Sequence, residues 1–153
     1  MPDTDDDLLL ERQLCFALSV ASRSVVASYR PVLDRLGITH PQYLVMLALW
    51  ERSPRTAKEI SEALLLEPAT VTPLLKRLED AGLLTRARQQ GNERALDVAL
   101  TPKGTALREQ ALSVPTTMMA RLGISREEAA ELHGSMTRLI AAAQASRAAD
   151  ASA

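Results

Sequence analysis

With 153 residues, 46% of them hydrophobic and 24% charged, the chain has the size and composition of one globular domain with a core of its own. A net charge of −1 and a pI near 6.1 exclude a uniformly basic nucleic-acid binder, so contact with an anionic partner must come from a local patch. No apolar run approaches the roughly 20 residues that span a bilayer, the acidic amino terminus is unlike a signal peptide, and a single cysteine rules out an intrachain disulfide and fits a reducing cytoplasm.

Met1–Asp7 is an acidic leader. From Asp7 to about Ser28 the pattern predicts one long helix, with Leu8, Leu9, Leu14, Cys15, Leu18, Ala21, Val25 and Val26 spread over more than one face. A helix with two apolar sides has more to bury than one small domain covers, which predicts a homodimer. Pro31 is expected to open a second piece ending at Gly37. Thr39-His40-Pro41 starts another helix, with Tyr43, Leu44, Met46, Leu47 and Trp50 in the core, and Ser53-Pro54 ends it.

The stretch Thr56 to Gly104 carries the functional signal. Thr56-Ala57-Lys58-Glu59 matches a capping box, in which a hydroxyl and a carboxylate three residues apart satisfy orphan amides reciprocally. Ile60, Ala63 and Leu64 then give a short helix one apolar face. Pro68 suits the first turn of a second helix. Val71, Leu74, Leu75 and Leu78 stripe that helix, and Ala81-Gly82 closes it with a left-handed cap. Two runs, Leu83–Arg88 and Arg94–Leu100, flank Gln89-Gln90-Gly91-Asn92-Glu93, a hairpin signal. Helix, tight turn, helix and hairpin make a winged helix-turn-helix.

A helix that enters a major groove presents small or polar side chains near its N-terminus, backed by an apolar face. Ala69, Thr70, Thr72 and Lys76 fit, and Pro73 and Arg77 join them. A hairpin that reaches sideways to phosphate or the minor groove needs cations near its tip, which Arg86, Arg88 and Arg94 are expected to supply. Between Pro68 and Arg94 five cations face three acids, a local excess on a chain of net negative charge. The plainer accounts of Arg94 are a simple surface charge or a brace to an acid such as Asp97.

After the hairpin, Thr101-Pro102-Lys103-Gly104 caps a helix running to about Leu112, before Pro115 interrupts. Ser125-Arg126-Glu127-Glu128 is a second capping box, launching a last helix to about Ala145 with Leu132, Met136, Leu139 and Ile140 on its inner face. The expected fold is mainly α with a small β-hairpin, one domain over 1–153. Residues 8–37 and 102–147 would be its dimerisation helices and 56–100 its winged helix-turn-helix. Two-fold pairing would then set two recognition helices about 34 Å apart on a pseudo-palindromic duplex operator.

Taken together, the helix-turn-helix, the wing ending Asn92-Glu93-Arg94 and the run Leu100-Thr101-Pro102-Lys103-Gly104 give a chain that resembles the MarR family of bacterial transcription regulators. Within it the chain looks most like the OhrR-type organic hydroperoxide sensors. The residues carrying that likeness are Leu14-Cys15-Phe16, Tyr29-Arg30-Pro31, Asp34-Arg35-Leu36-Gly37-Ile38-Thr39, Pro41-Gln42-Tyr43, and Thr70 through Glu79 with its internal Pro73. The resemblance implies a homodimeric repressor that lets go of DNA when Cys15 is oxidised. It makes Tyr29 a phenol from the other subunit that hydrogen-bonds the thiol. Such sensors often have tyrosine where this chain has His40 and Ser19.

Peroxide is attacked by a thiolate, so a sensor cysteine needs its charged form favoured. With Cys15 expected well inside a helix, Tyr29 and His40 are the candidate donors, a protonated imidazole being the stronger. Oxidation gives a sulfenic acid. With no second cysteine, the next partner is a low-molecular-weight thiol, a backbone nitrogen or more oxidant. A competing function in the same class is a repressor gated by a small phenolic or drug-like ligand, with Cys15 inert. A thiol peroxidase is disfavoured by the DNA-reading head. A metal-gated regulator is disfavoured because one cysteine and two distant histidines do not form a closed ligand set. No cofactor motif is present, and His133 reads as merely solvated.

Overall fold

The computed structural model describes residues 4–153, apart from the side chains of Thr4, Asp5 and Glu93. Of the acidic leader, Met1–Asp3 lies outside the described residues. The chain packs as two compact units, one ending at Val114 and one spanning Pro115–Ala153.

The first unit begins with two short 3-10 turns, Thr4–Leu8 and Leu10–Arg12, before helix α1 (Leu14–Asp34). The helix expected from Asp7 therefore starts seven residues later. Gln13 has extended backbone there, and its side-chain Nε2 donates back to the Asp7 and Leu9 carbonyls at 2.6 and 3.2 Å, fastening the leader to the break. Pro31 does not open a new piece either. It lies in the last turn of α1, where its missing N–H forfeits only the bond to the Ala27 carbonyl.

Helix α2 (His40–Glu51) is capped reciprocally by Thr39 and Gln42. It touches α1, α3, α4, α5 and the sheet, so it is buried around most of its circumference. Tyr43 and Met46 are core, as expected. Val45, Ala48 and Leu49 are equally buried, while Leu47 faces out, because a helix surrounded on most sides has no single apolar stripe to read.

Strand β1 (Arg55–Thr56) leads directly into α3 (Ala57–Leu64). The predicted capping box is present: the Thr56 amide donates to Glu59 Oε2 at 3.0 Å and the Glu59 amide to Thr56 Oγ1 at 3.1 Å. Ile60 is fully buried. Its inner neighbour is Ser61 rather than Ala63, and the Ser61 hydroxyl donates to the Ala57 carbonyl, so its burial leaves no orphan group.

Helix α3 ends on Leu65 with φ 54° and ψ 40°, the left-handed position that glycine usually takes. The Leu66 amide reaches the Ser61 carbonyl and the Leu65 amide the Glu62 carbonyl, closing a Schellman turn. An L-residue held there sacrifices about 1–2 kcal/mol. The Leu65 side chain is 63% exposed and returns little by packing. Leu65→Gly is therefore expected to raise stability by about 0.5–1 kcal/mol in urea denaturation, the gain being trimmed by glycine's greater unfolded-state entropy.

Helix α4 (Pro68–Asp80) follows, with Val71, Leu75 and Leu78 buried. Gly82, at φ 76°, makes the second Schellman turn: the Leu83 amide donates to the Leu78 carbonyl and the Gly82 amide to the Glu79 carbonyl. Strands β2 (Leu84–Gln89) and β3 (Asn92–Leu100) then form the wing around Gln90-Gly91, a tighter turn than the five-residue link expected. The sheet has three antiparallel strands in the order β1-β3-β2, not a lone hairpin, because Arg55 and Thr56 pair with Val98 and Asp97. Two residues are too few to show a strand periodicity.

Helix α5 (Pro102–Ala111) is capped by Thr101, whose hydroxyl accepts from the Gly104 amide at 3.0 Å. The second unit holds most of α6 (Val114–Leu122) and all of α7 (Arg126–Ala151). Pro115 sits in the first turn of α6, and the Ser125–Glu128 capping box starts α7, which runs six residues past the expected end. Leu132 and Ile140 on α7 are 55% and 47% exposed. No helix among the described residues is long and apolar enough to cross a membrane.

Candidate nucleic-acid interface and thiol site

Six of the residues nominated for DNA contact, Ala69, Thr70, Thr72, Pro73, Lys76 and Arg77, are all exposed on α4. At about 100° per residue they fall within roughly 160° of arc, opposite Val71, Leu75 and Leu78. Pro73 lies on this outer face, and the bond it forfeits to the Ala69 carbonyl is lost at a solvent-facing edge of the helix. Thr72 Oγ1 donates to the Pro68 carbonyl at 2.9 Å, so it holds one rotamer. Lys76 pairs with Asp80 at 3.5 Å with both side chains well exposed, an interaction too weak to hold the lysine away from a phosphate.

The three nominated wing arginines differ. Arg88, opposite Leu96, and Arg94 are exposed near the turn. Arg94 is not a brace to Asp97, whose Oδ1 accepts from Gln89 Nε2 at 3.0 Å. Arg86 is not at the tip. It pairs with Val98 in mid-strand and its guanidinium is bonded to Glu79 of α4.

Pattern reasoning missed a groove of about 530 Å³ between the first turn of α3 and the wing, with Lys58, Gln89, Asn92 and Arg94 in its lining. The pairing of β1 with β3 sets the first turn of α3 beside the wing, and that pairing has no signal in the linear sequence.

Cys15 is exposed and is the second residue of α1. The expectation that it lies well inside a helix is corrected: α1 begins at Leu14, so Cys15 stands in its first turn. Gln13 supplies no side-chain cap to the first turn of α1.

Tyr29 and His40 come together: their rings meet edge-on at 4.9 Å, and Tyr43 lies 6.1 Å from Tyr29 and 6.4 Å from His40. Burial raises the Tyr29 phenol above its ordinary 10.0, which keeps it a hydrogen-bond donor. Burial also lowers His40 below its ordinary 6.5, which disfavours the protonated imidazole that would be the stronger donor. Cys15 is not with them. Fourteen residues of one helix separate it from Tyr29, about 21 Å at 1.5 Å per residue. The thiol and the phenol of one chain cannot meet.

A profile described as the MarR family matches residues 38–96. Over 132 residues the chain is 43% identical to the organic hydroperoxide resistance transcriptional regulator of Bacillus subtilis (strain 168), covering 86% of this chain and 88% of that protein. Among solved structures it is similar to AbfR of Staphylococcus epidermidis. AbfR in an overoxidised form bound to DNA gives a TM-score of 0.73 at 33% identity, covering 90% of this chain and 97% of that one. AbfR in a reduced form bound to DNA gives 0.71 at 35%, covering 90% and 98%.

Proposed function

The chain belongs to the MarR family of DNA-binding transcription regulators, which are not enzymes, and from that premise we propose that it is a homodimeric repressor that releases its operator when Cys15 is oxidised by an organic hydroperoxide. One observation carries this function: the sole cysteine stands exposed in the first turn of a helix whose own phenol is about 21 Å away. A second copy laid antiparallel along α1 brings its Tyr29 and His40 to each thiol. The exposed Leu8, Leu9, Leu14, Phe16 and Val20 supply the apolar surface for that pairing. Residues 8–37 and 102–147 form the dimerisation helices in this arrangement.

On the operator, Ala69, Thr70, Thr72 and Pro73 meet base edges and sugars, while Lys76, Arg77, Arg88 and Arg94 meet phosphate or the minor groove. The thiolate attacks the peroxide's distal oxygen, the O–O bond breaks, and the alcohol leaves with the added proton, giving a sulfenic acid. A low-molecular-weight thiol then displaces water from that sulfur and leaves a mixed disulfide. AbfR is described on DNA in both its reduced and its overoxidised forms, which favours the bulky adduct as the releasing product here.

A gel shift on the chain's own promoter, titrated with cumene hydroperoxide and with hydrogen peroxide in the presence of a thiol, tests this. Release at lower concentrations of the organic peroxide is expected; binding indifferent to both would sink the sensor. A second function rests on the cleft of about 340 Å³ lined by Val26, Ala27, Arg30, Leu33, His40 and Pro41, large enough for a small phenolic effector.

Arg94→Ala is expected to weaken operator and unrelated DNA alike. The slope of log affinity against log salt should fall by about 0.9 for each phosphate no longer neutralised, twice that in a dimer. An unchanged slope would show that Arg94 does not reach a phosphate.

A further inference from the structure

We propose that Arg86 is a positioning residue and not a DNA ligand: through Glu79 it fixes the angle between the wing and the recognition helix. The inference rests on the DNA-binding function assigned to α4 and the wing. The Arg86 amide donates to Glu79 Oε2 at 3.0 Å, while Nη2 and Nε reach Glu79 Oε1 at 3.1 and 3.4 Å. A backbone donor and a guanidinium fork thus grip both oxygens of one carboxylate. The Arg86 side chain is only 21% exposed, whereas Arg77, Arg88 and Arg94 belong to the exposed surface. These bonds hold the Glu79 carboxyl below its ordinary 4.5, so it stays ionised beside the arginine. A phosphate brought to Arg86 would meet that negative charge and find two of the donor groups already spent.

The clasp closes the corner between α4 and β2, and α5 fastens the same corner from another side. Thr101 Oγ1 donates to the Gly82 carbonyl at 2.6 Å and Lys103 Nζ to the Ala81 carbonyl at 2.7 Å. From Arg86 to Gly91 is five residues, so the wing tip stands roughly 16 Å beyond the clasp. A small change of angle at the corner therefore moves the tip by several ångströms. Both parts must reach the duplex together, which makes the corner a determinant of site-specific affinity.

Full-length Glu79→Gln, Arg86→Gln, Arg86→Lys and the Glu79→Gln/Arg86→Gln double variant would be measured across a salt series. The probes are the duplex that wild-type protein enriches from a random-sequence library and a scrambled duplex of the same composition. Positioning predicts that each single variant loses roughly tenfold on the enriched duplex, and the double variant no more than either. Binding to the scrambled duplex and the salt slope stay as in wild type. Arg86→Lys also loses affinity, because an ammonium cannot fork. A phosphate role predicts opposite signs: Glu79→Gln tightens both duplexes, Arg86→Gln weakens both with a shallower slope, and Arg86→Lys is nearly silent. That outcome, or wild-type behaviour throughout, overturns the inference alone. Failure of the wild-type protein to enrich any duplex would bring down the DNA-binding function and the clasp's role with it.

Discussion

Cys15→Ser protein is expected to hold operator DNA as tightly as wild type and to stay bound when organic hydroperoxide and a small thiol are added. Serine keeps the size and hydrogen-bonding reach of the side chain but cannot be oxidised under these conditions, so the reduced, DNA-competent form is all that exists. Wild type should lose affinity by roughly 5- to 150-fold, the usual range for coupling between two sites of one protein. Mass spectrometry of the released wild type should find one thiol adduct per chain, since no second cysteine can resolve it. Full induction of Cys15→Ser by a phenolic compound, with no response of wild type to peroxide, would transfer the switch to the cleft beside His40.

The largest loss of stability is expected from Gly104→Ala. A Cβ at Gly104 would fall inside the van der Waals envelope of the Leu83 carbonyl oxygen, with the Leu83 carbonyl carbon and a Leu100 methyl also crowding it. The obstruction is backbone, which cannot rotate aside. Moving α5 away would strain the bond from Trp50 Nε1 to the Gly104 carbonyl, 2.9 Å long, and the Thr101 cap on the Gly104 amide. Overpacking of this kind costs about 1–3 kcal/mol, and each bond broken adds about 1 kcal/mol. A total of roughly 3–5 kcal/mol should appear as a lower urea midpoint. Gly134→Ala is the matched control. Its nearest neighbour is the flexible end of Arg138 at 3.7 Å, so inside α7 the change should stabilise by up to about 1 kcal/mol.

What could be read in the sequence was written locally. Thr56 with Glu59, Ser125 with Glu128, Thr101 before Pro102, and Gly82 after Ala81 each declare a helix end within four residues, and each is found as expected. The outer face of α4 followed from the phase of Val71, Leu75 and Leu78. Signals that need a distant partner were not legible. Leu8, Leu9 and Leu10 are apolar without being helical in phase with α1, so the break at Gln13 and the position of Cys15 near the helix start were hidden. β1 exists only because β3 passes beside it. Arg86 looks the same in sequence as Arg88, and only the fold shows that Glu79 stands opposite one of them. The charge state of His40 depends on burial among Tyr29 and its neighbours, which no linear pattern reveals.

The length of α1 has a last consequence. Under the proposed pairing, one twenty-one-residue rod carries a sulfur at its front and a phenol at its back, so a solitary subunit owns both halves of a detector and can assemble neither. Dilution alone should then blunt the response, because chemical competence becomes a property of association and varies with protein concentration. Mixing Cys15→Ser subunits with Tyr29→Phe subunits should restore one working thiol per heterodimer, a complementation that no single-chain sensor can display.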